Sequence, residues 1–120
     1  MEHSVEIMAG ITFLVFGLSY ILHAQDWIEW LETVRTGGRQ SSLLMGAMHI
    51  LLGSFIVAFH WVWSGWAMIL TIIGLWAVAE GAVYLLFPSY LARFMGWMAP
   101  YYKLVLRGFG GAIVLLALAL

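Results

Sequence analysis

Three ionisable side chains, His49, Glu80 and Arg107, stand inside long apolar runs of this sequence. Glu80 lies in AVAEGAVYLLFPSY, residues 77–90, where no neighbouring side chain would hydrate a carboxylate. A charge near the centre of a bilayer costs at least ~2.5–3.5 kcal/mol on insertion scales, so such residues are usually paired or functional. The chemistry open to them is proton or ion binding, a structural ion pair, or ligation of a cofactor.

The positions of Glu80 and Arg107 predict that the two side chains meet. Glu80 precedes Phe87 by seven residues, and Arg107 follows Tyr101 by six. At 1.5 Å per helical residue, both lie ~9–10 Å inside the same membrane boundary on consecutive, antiparallel helices. A bidentate pair between arginine and carboxylate best offsets the loss of water. We therefore favour a structural ion pair over the alternative, a gated proton or ion site at Glu80.

Tyr20, His23 and His49 complete a candidate polar cluster with these two charges. His49 is a candidate ligand for a haem or for the carbonyl of a quinone. Haem ligation by two histidines needs a partner at matching depth, and His23 lies about two turns shallower. The simpler prediction for His49 is a hydrogen bond to a neighbouring backbone carbonyl or to Tyr20. We expect no cofactor, and we expect no metal because histidines without a carboxylate at matching spacing are a weak metal signal.

The composition excludes several classes of protein. The chain of 120 residues is 64% hydrophobic and 9% charged, whereas soluble domains are about 25% charged. The net charge of −1 gives no electrostatic basis for binding nucleic acid. The absence of cysteine excludes disulfides and thiolate chemistry. No catalytic motif is present.

Four apolar segments, at about 5–24, 43–61, 66–87 and 101–120, are long enough to cross a bilayer as helices. We predict one all-α membrane domain, a four-transmembrane-helix bundle built from two helical hairpins. In the first connection, 25–42, the helical spacing of tryptophan and aliphatic residues predicts a short interfacial helix. The third connection, 88–100, lies between Pro88 and Pro100 and is predicted to form another. WVWSG between the second and third segments predicts a tight turn.

The basic residues predict the orientation. All five fall in or beside the first and third connections: Arg35, Arg39, Arg93, Lys103 and Arg107. The positive-inside rule therefore places connections 25–42 and 88–100 in the cytoplasm and both termini outside.

The two halves, 1–62 and 63–120, resemble each other. GLSYILHAQDW matches GAVYLLFPSYL at an offset of 64 residues, and LLMGAMHILLG matches VLRGFGGAIVL at an offset of 62. Since apolar helices with glycine resemble one another easily, duplication and chance similarity both stay open. Glycines at helical spacing predict seams at which helices approach closely.

Residues 80–120 also resemble the YjeT-type family of small bacterial inner-membrane proteins of unknown function. The motif consists of Glu80-Gly81, Phe87-Pro88, Pro100, Arg107-Gly108 and Gly110-Gly111. The resemblance implies a bacterial inner-membrane location and no particular activity.

The sequence favours a non-catalytic accessory or structural subunit that packs against larger membrane partners. The first alternative is a small homo-oligomeric transporter or channel that uses Glu80. The second is a redox subunit that holds haem or quinone through His49.

Overall fold

The computed structural model of the protein describes residues 2–120, which are mostly helical and contain no strand. The helices are α1 (Glu2–Leu22), α2 (Ala24–Thr36), α3 (Gly38–Phe59), α4 (Ala67–Leu86), α5 (Tyr90–Met98) and α6 (Tyr102–Ala119). A 3₁₀ turn, Ala99–Tyr101, joins α5 to α6.

Four helical segments are long and apolar enough to cross a membrane: α1, α3, α4 and the stretch Tyr90–Ala119 through α5 and α6. In the most apolar part of each segment, only 11% to 28% of the residues are buried inside the protein. Apolar surface of this extent requires lipid around it, so the chain is a multi-pass membrane protein. The predicted spans coincide with these segments, although α3 begins at Gly38 instead of residue 43.

The helices pack as two antiparallel pairs, α3 with α4 and α1 with α6. The predicted hairpins of consecutive spans, α1 with α3 and α4 with α6, are not confirmed, because neither pair makes comparable contact. The molecule is flattened, with principal dimensions of 38 × 32 × 17 Å. The protein is thus two helix pairs side by side, with the ends of the chain paired to each other.

Glycines form the seam of each pair, in the contacts Gly46–Gly81, Gly53–Gly74 and Gly17–Gly110. A Cβ atom on Gly53 would lie 2.7 Å from the carbonyl oxygen of Gly74. A Cβ atom on Gly17 would lie 2.7 Å from the carbonyl oxygen of Gly110. Only the missing side chains allow the backbones to come this close, which is how helices associate without a hydrophobic drive.

A shift of 64 residues relates the two seams. It takes Gly17 to Gly81 and Gly46 to Gly110, and it takes Tyr20 to Tyr84. Because the shift takes α1 to α4 and α3 to α6, it relates the α1–α6 pair to the α4–α3 pair.

The helices α2 and α5 close one end of the molecule, beneath α3 and α4. Their buried contact consists of Val34, Leu91 and Met95 around Tyr84 of α4. Ser42 donates a buried hydrogen bond of 2.9 Å to the carbonyl oxygen of Tyr84 and so joins α3 to α4. At Gly38 the backbone has φ +63°, a conformation that favours glycine, and this lets the chain turn from α2 directly into α3.

Candidate functional site

Glu80 lies at the centre of a polar group between α3 and α4. The Tyr84 hydroxyl, one turn further along α4, donates a hydrogen bond of 2.6 Å to Glu80 Oε1. The other carboxylate oxygen, Oε2, faces Nε2 of His49 on α3 at 3.9 Å. The side chains of His49 and Glu80 are 36% and 31% exposed, so the pair is accessible from a cavity and not sealed in the helix contact.

The hydrogen bonds of His49 determine which of its nitrogens is free. Nδ1 lies 2.7 Å from the carbonyl oxygen of Met45. A carbonyl oxygen only accepts, so Nδ1 carries a hydrogen and donates it. In the neutral ring, Nε2 is then an unprotonated acceptor that faces a carboxylate, which is also an acceptor. A hydrogen-bond donor placed between the two atoms would therefore satisfy both acceptors.

A cavity of about 290 Å³ adjoins this pair. Its lining comes from five helices and includes Tyr20 of α1, Trp30 of α2 and Phe94 of α5, besides His49 and Glu80. The remaining lining residues are aliphatic, aromatic or methionine, and none is lysine or arginine. The structure therefore brings three members of the predicted polar cluster, Tyr20, His49 and Glu80, to one cavity.

The predicted contact between Glu80 and Arg107 is not formed. No ion pair among residues 2–120 joins the two, and Arg107 is exposed on α6. The cause is the pairing of the helices: α6 packs against α1, so its arginine does not face the helix that carries Glu80. Equal depth in a membrane does not determine which helices are neighbours.

His23 is also outside the cavity. It precedes the first residue of α2, its side chain is largely exposed, and its Nδ1 lies 3.8 Å from Asp26 Oδ2. His49 therefore has no second histidine beside it in the cavity. Among residues 2–120, no three His, Cys, Asp or Glu side chains are placed to hold a metal ion.

A second polar cluster, which the sequence did not predict, lies at the opposite end of the molecule. His60 is fully buried after the last residue of α3. Its Nε2 donates to Glu6 Oε1 of α1 at 2.9 Å, and its Nδ1 lies 3.0 Å from Thr71 Oγ1 of α4. The Thr71 hydroxyl also contacts the carbonyl oxygens of His60 and Val62 at 3.0 and 2.9 Å. This cluster fastens α1 to the loop between α3 and α4.

The only signals for the second cluster were single residues: a glutamate early in α1 and a histidine near WVWSG. Glu6 and His60 are 54 residues apart in sequence, and no spacing rule connects them. The contact follows from the position of α1 beside the α3–α4 pair, which only the tertiary structure defines.

Comparisons of the chain with protein-family models, with curated proteins and with solved structures found no match. The resemblance of residues 80–120 to the YjeT-type family therefore stays a prediction that rests on its motif. In the fold, two of the motif glycines have a structural role: Gly81 lies in the α3–α4 seam and Gly110 in the α1–α6 seam.

Proposed function

We propose that this protein is a small, proton-coupled membrane transporter in which Glu80 is the group that takes up and releases the proton. The observation that supports this proposal is the 3.9 Å approach of Glu80 Oε2 to His49 Nε2 beside a cavity. A permanent arginine partner would hold the carboxylate in one charge state. A histidine partner is itself titratable, so the pair can change its charge within the membrane.

The experiment that tests this proposal is infrared difference spectroscopy of the purified protein during acidification. We expect one carbonyl stretch of a protonated carboxylic acid in the wild-type spectrum to be missing from Glu80→Gln, while the other five carboxyl side chains of the chain still contribute to both spectra. Arg107→Gln is the matched control, because Arg107 makes no contact with Glu80 and its variant should retain the band. A set of titrating bands that is the same in Glu80→Gln as in the wild type would overturn the assignment.

The second candidate function is the non-catalytic accessory subunit, and the exposure of Trp76 favours it. Trp76 lies in the middle of α4 and is 68% exposed. Tryptophan in membrane proteins is enriched at the two interfaces, so an exposed one at mid-span fits a contact with another membrane helix. Purification in mild detergent separates the candidates: stoichiometric recovery of a larger complex supports the subunit, and a clean homo-oligomer supports the transporter.

We further propose that α2 and α5 lie in the cytoplasmic interface of a bacterial inner membrane, with both termini outside. The five basic residues at this end of the molecule support the orientation. Among them, Arg35 donates hydrogen bonds to the Glu32 carboxylate that raise the pKa of its guanidinium, so it remains charged at any physiological pH. The YjeT-type resemblance supports the choice of membrane.

The shift of 64 residues between the glycine seams supports a duplicated architecture. In this proposal, α1–α2–α3 and α4–α5–α6 are two copies of one unit, and the first helix of each copy packs on the last helix of the other. The polar pair itself is not duplicated. The shift relates Glu80 to Phe16 and His49 to Ile113, and both of these counterparts are apolar. The two copies would therefore hold one titratable site between them and not two.

A further inference from the structure

We propose that the cavity beside Glu80 binds a lipophilic organic cation, a flat apolar molecule with one protonated nitrogen, in competition with the proton. This inference rests on the proposed role of Glu80 as a proton-exchanging group. It adds the chemical class of the molecule that is exchanged for the proton.

The hydrogen bonds that His49 and Glu80 already make favour a ligand that donates hydrogen bonds to them. The hydrogen of the Tyr84 hydroxyl is already given to Glu80 Oε1, and that of His49 Nδ1 to the Met45 carbonyl. The groups left for a ligand are Glu80 Oε2 and His49 Nε2, 3.9 Å apart, and in the neutral ring both accept. An ammonium group that donates to both satisfies them and supplies the positive charge that the carboxylate lacks.

The same hydrogen bonds disfavour a ligand that can only accept hydrogen bonds. A quinone carbonyl or an anion would need a free donor or a fixed positive charge. The cavity lining contains no lysine or arginine, and its one histidine presents an acceptor when neutral. Charge complementarity at this site therefore favours a cation.

The cavity walls suit the apolar part of such a ligand. Trp30, Phe94 and Tyr20 supply aromatic faces, which attract cations at short range. Met45, Met95 and Met98 supply flexible thioethers, which adapt to ligands of different shape. The volume of about 290 Å³ is just below the range for small-molecule sites, about 300–1,000 Å³, which fits a small ligand.

A groove between α1 and α3 gives this cavity a route to the lipid. The groove has a volume of about 530 Å³ and shares Tyr20, Trp30, Met45 and His49 with the cavity. Its apolar lining includes exposed side chains such as Leu52, so it opens on the lipid-facing surface. Asp26 of α2 also lines the groove and adds a second negative charge on the approach to the site.

Competition with the proton follows from the shared pair. The titratable groups that face Glu80 are His49 from α3, Tyr84 on its own helix, Tyr20 from α1 and Tyr90 from α5. Among these groups, Glu80 Oε2 and His49 Nε2 are the two acceptors that face each other at 3.9 Å. A bound cation and a bound proton occupy the same two acceptors, so each must displace the other.

The test measures binding of 1-naphthylmethylammonium to the purified protein in detergent, with the neutral 1-naphthylmethanol as the matched ligand. We expect the ammonium compound to bind at least about tenfold tighter than the alcohol, the size of effect expected for a close charge pair. Binding should strengthen as the pH rises and should release protons into a weakly buffered solution. Glu80→Gln should remove the preference for the cation, and Arg107→Gln should keep it.

The outcomes separate this inference from the proposed function. Equal binding of the two ligands to the wild-type protein, or no binding of the cation at any pH, overturns the cation site even if the Glu80 carboxyl band titrates. Preferential cation binding that depends on Glu80, without a titrating band assigned to Glu80, supports the site and overturns the proton-coupled function. The comparison of two ligands on the wild-type protein holds even if Glu80→Gln fails to fold.

Discussion

The Tyr84 hydroxyl is bonded to Glu80 Oε1 at 2.6 Å, and both residues project from the same face of α4 towards α3. A hydrogen bond to a charged group contributes about 1.5–3 kcal/mol when its partner is fixed. Tyr84 is fixed on both sides: its ring lies in the buried contact with α2 and α5, and its carbonyl accepts from Ser42. The relationship therefore links the candidate site directly to the packing of the molecule.

The first prediction is a double-mutant cycle on this bond. Tyr84→Phe and Glu80→Gln should each lower the free energy of unfolding, because the first removes the donor and the second replaces the charged acceptor by a neutral amide. The double variant should lose less than the sum of the two by about 1 kcal/mol, since the bond can be lost only once. Unfolding in mixed detergent micelles provides the measurement. Losses that simply add would show that the two side chains do not interact.

The second prediction applies the same cycle to Glu80 and Arg107. Because the structure places these residues on helices that do not pair, the effects of Glu80→Gln and Arg107→Gln should add within about 0.5 kcal/mol. The cycle decides between the structure and the ion pair favoured by the sequence. If Arg107→Gln restored stability that Glu80→Gln had removed, the two charges would be paired and the helix pairing described above would be wrong.

The environment and the helices could be predicted from the sequence because lipid leaves few alternatives. Apolar runs of this length must be helical, since open backbone groups are not tolerated in hydrocarbon. For the same reason, counting residues along a helix assigns a depth to Glu80 and to Arg107.

The pairing of the helices could not be predicted in the same way. Every span carries small residues at helical spacing, so any two helices offer a plausible seam. Adjacency in sequence holds for α3 with α4, but α1 with α3 and α4 with α6 make little contact. The helix pairing expected from the sequence also led to Arg107 as the partner of Glu80, whereas the structure places His49 beside it. The contact between Glu6 and His60 depends on the same missing information.

The third prediction concerns the glycine seams. Gly53→Ala should destabilise the protein by about 1–3 kcal/mol, since the added Cβ would meet the Gly74 carbonyl and the Val78 backbone nitrogen at 2.7 Å. Gly108→Ala is the matched control on α6, because nothing lies within 4 Å of its added Cβ. The control should be neutral or slightly stabilising, as alanine favours helix over glycine. Thermal unfolding in detergent compares them, and equal effects would contradict the assigned seam.

The fourth prediction concerns the cluster around His60. Thr71→Val keeps the shape of the side chain but removes the hydroxyl that bonds to the His60 ring and to the loop backbone. Because these groups are buried, the loss should be about 1–3 kcal/mol of stability. Thr71→Ser keeps the hydroxyl and should retain most of the stability. If the serine variant were as unstable as the valine variant, the methyl group and not the hydrogen bonds would be responsible.

The fifth prediction tests the proposed orientation. Because the sequence contains no cysteine, an introduced thiol is the one group in each variant that a maleimide labels. Ser64→Cys places a thiol in the loop between α3 and α4, and Arg39→Cys places one at the start of α3. Both residues are exposed, so access depends only on the side of the membrane. With the loop outside, a membrane-impermeant maleimide added to intact cells should label Ser64→Cys at once. It should label Arg39→Cys only after the membrane is permeabilised. The reverse pattern would invert the topology, and labelling of both variants in intact cells would mean that the chain inserts in two orientations.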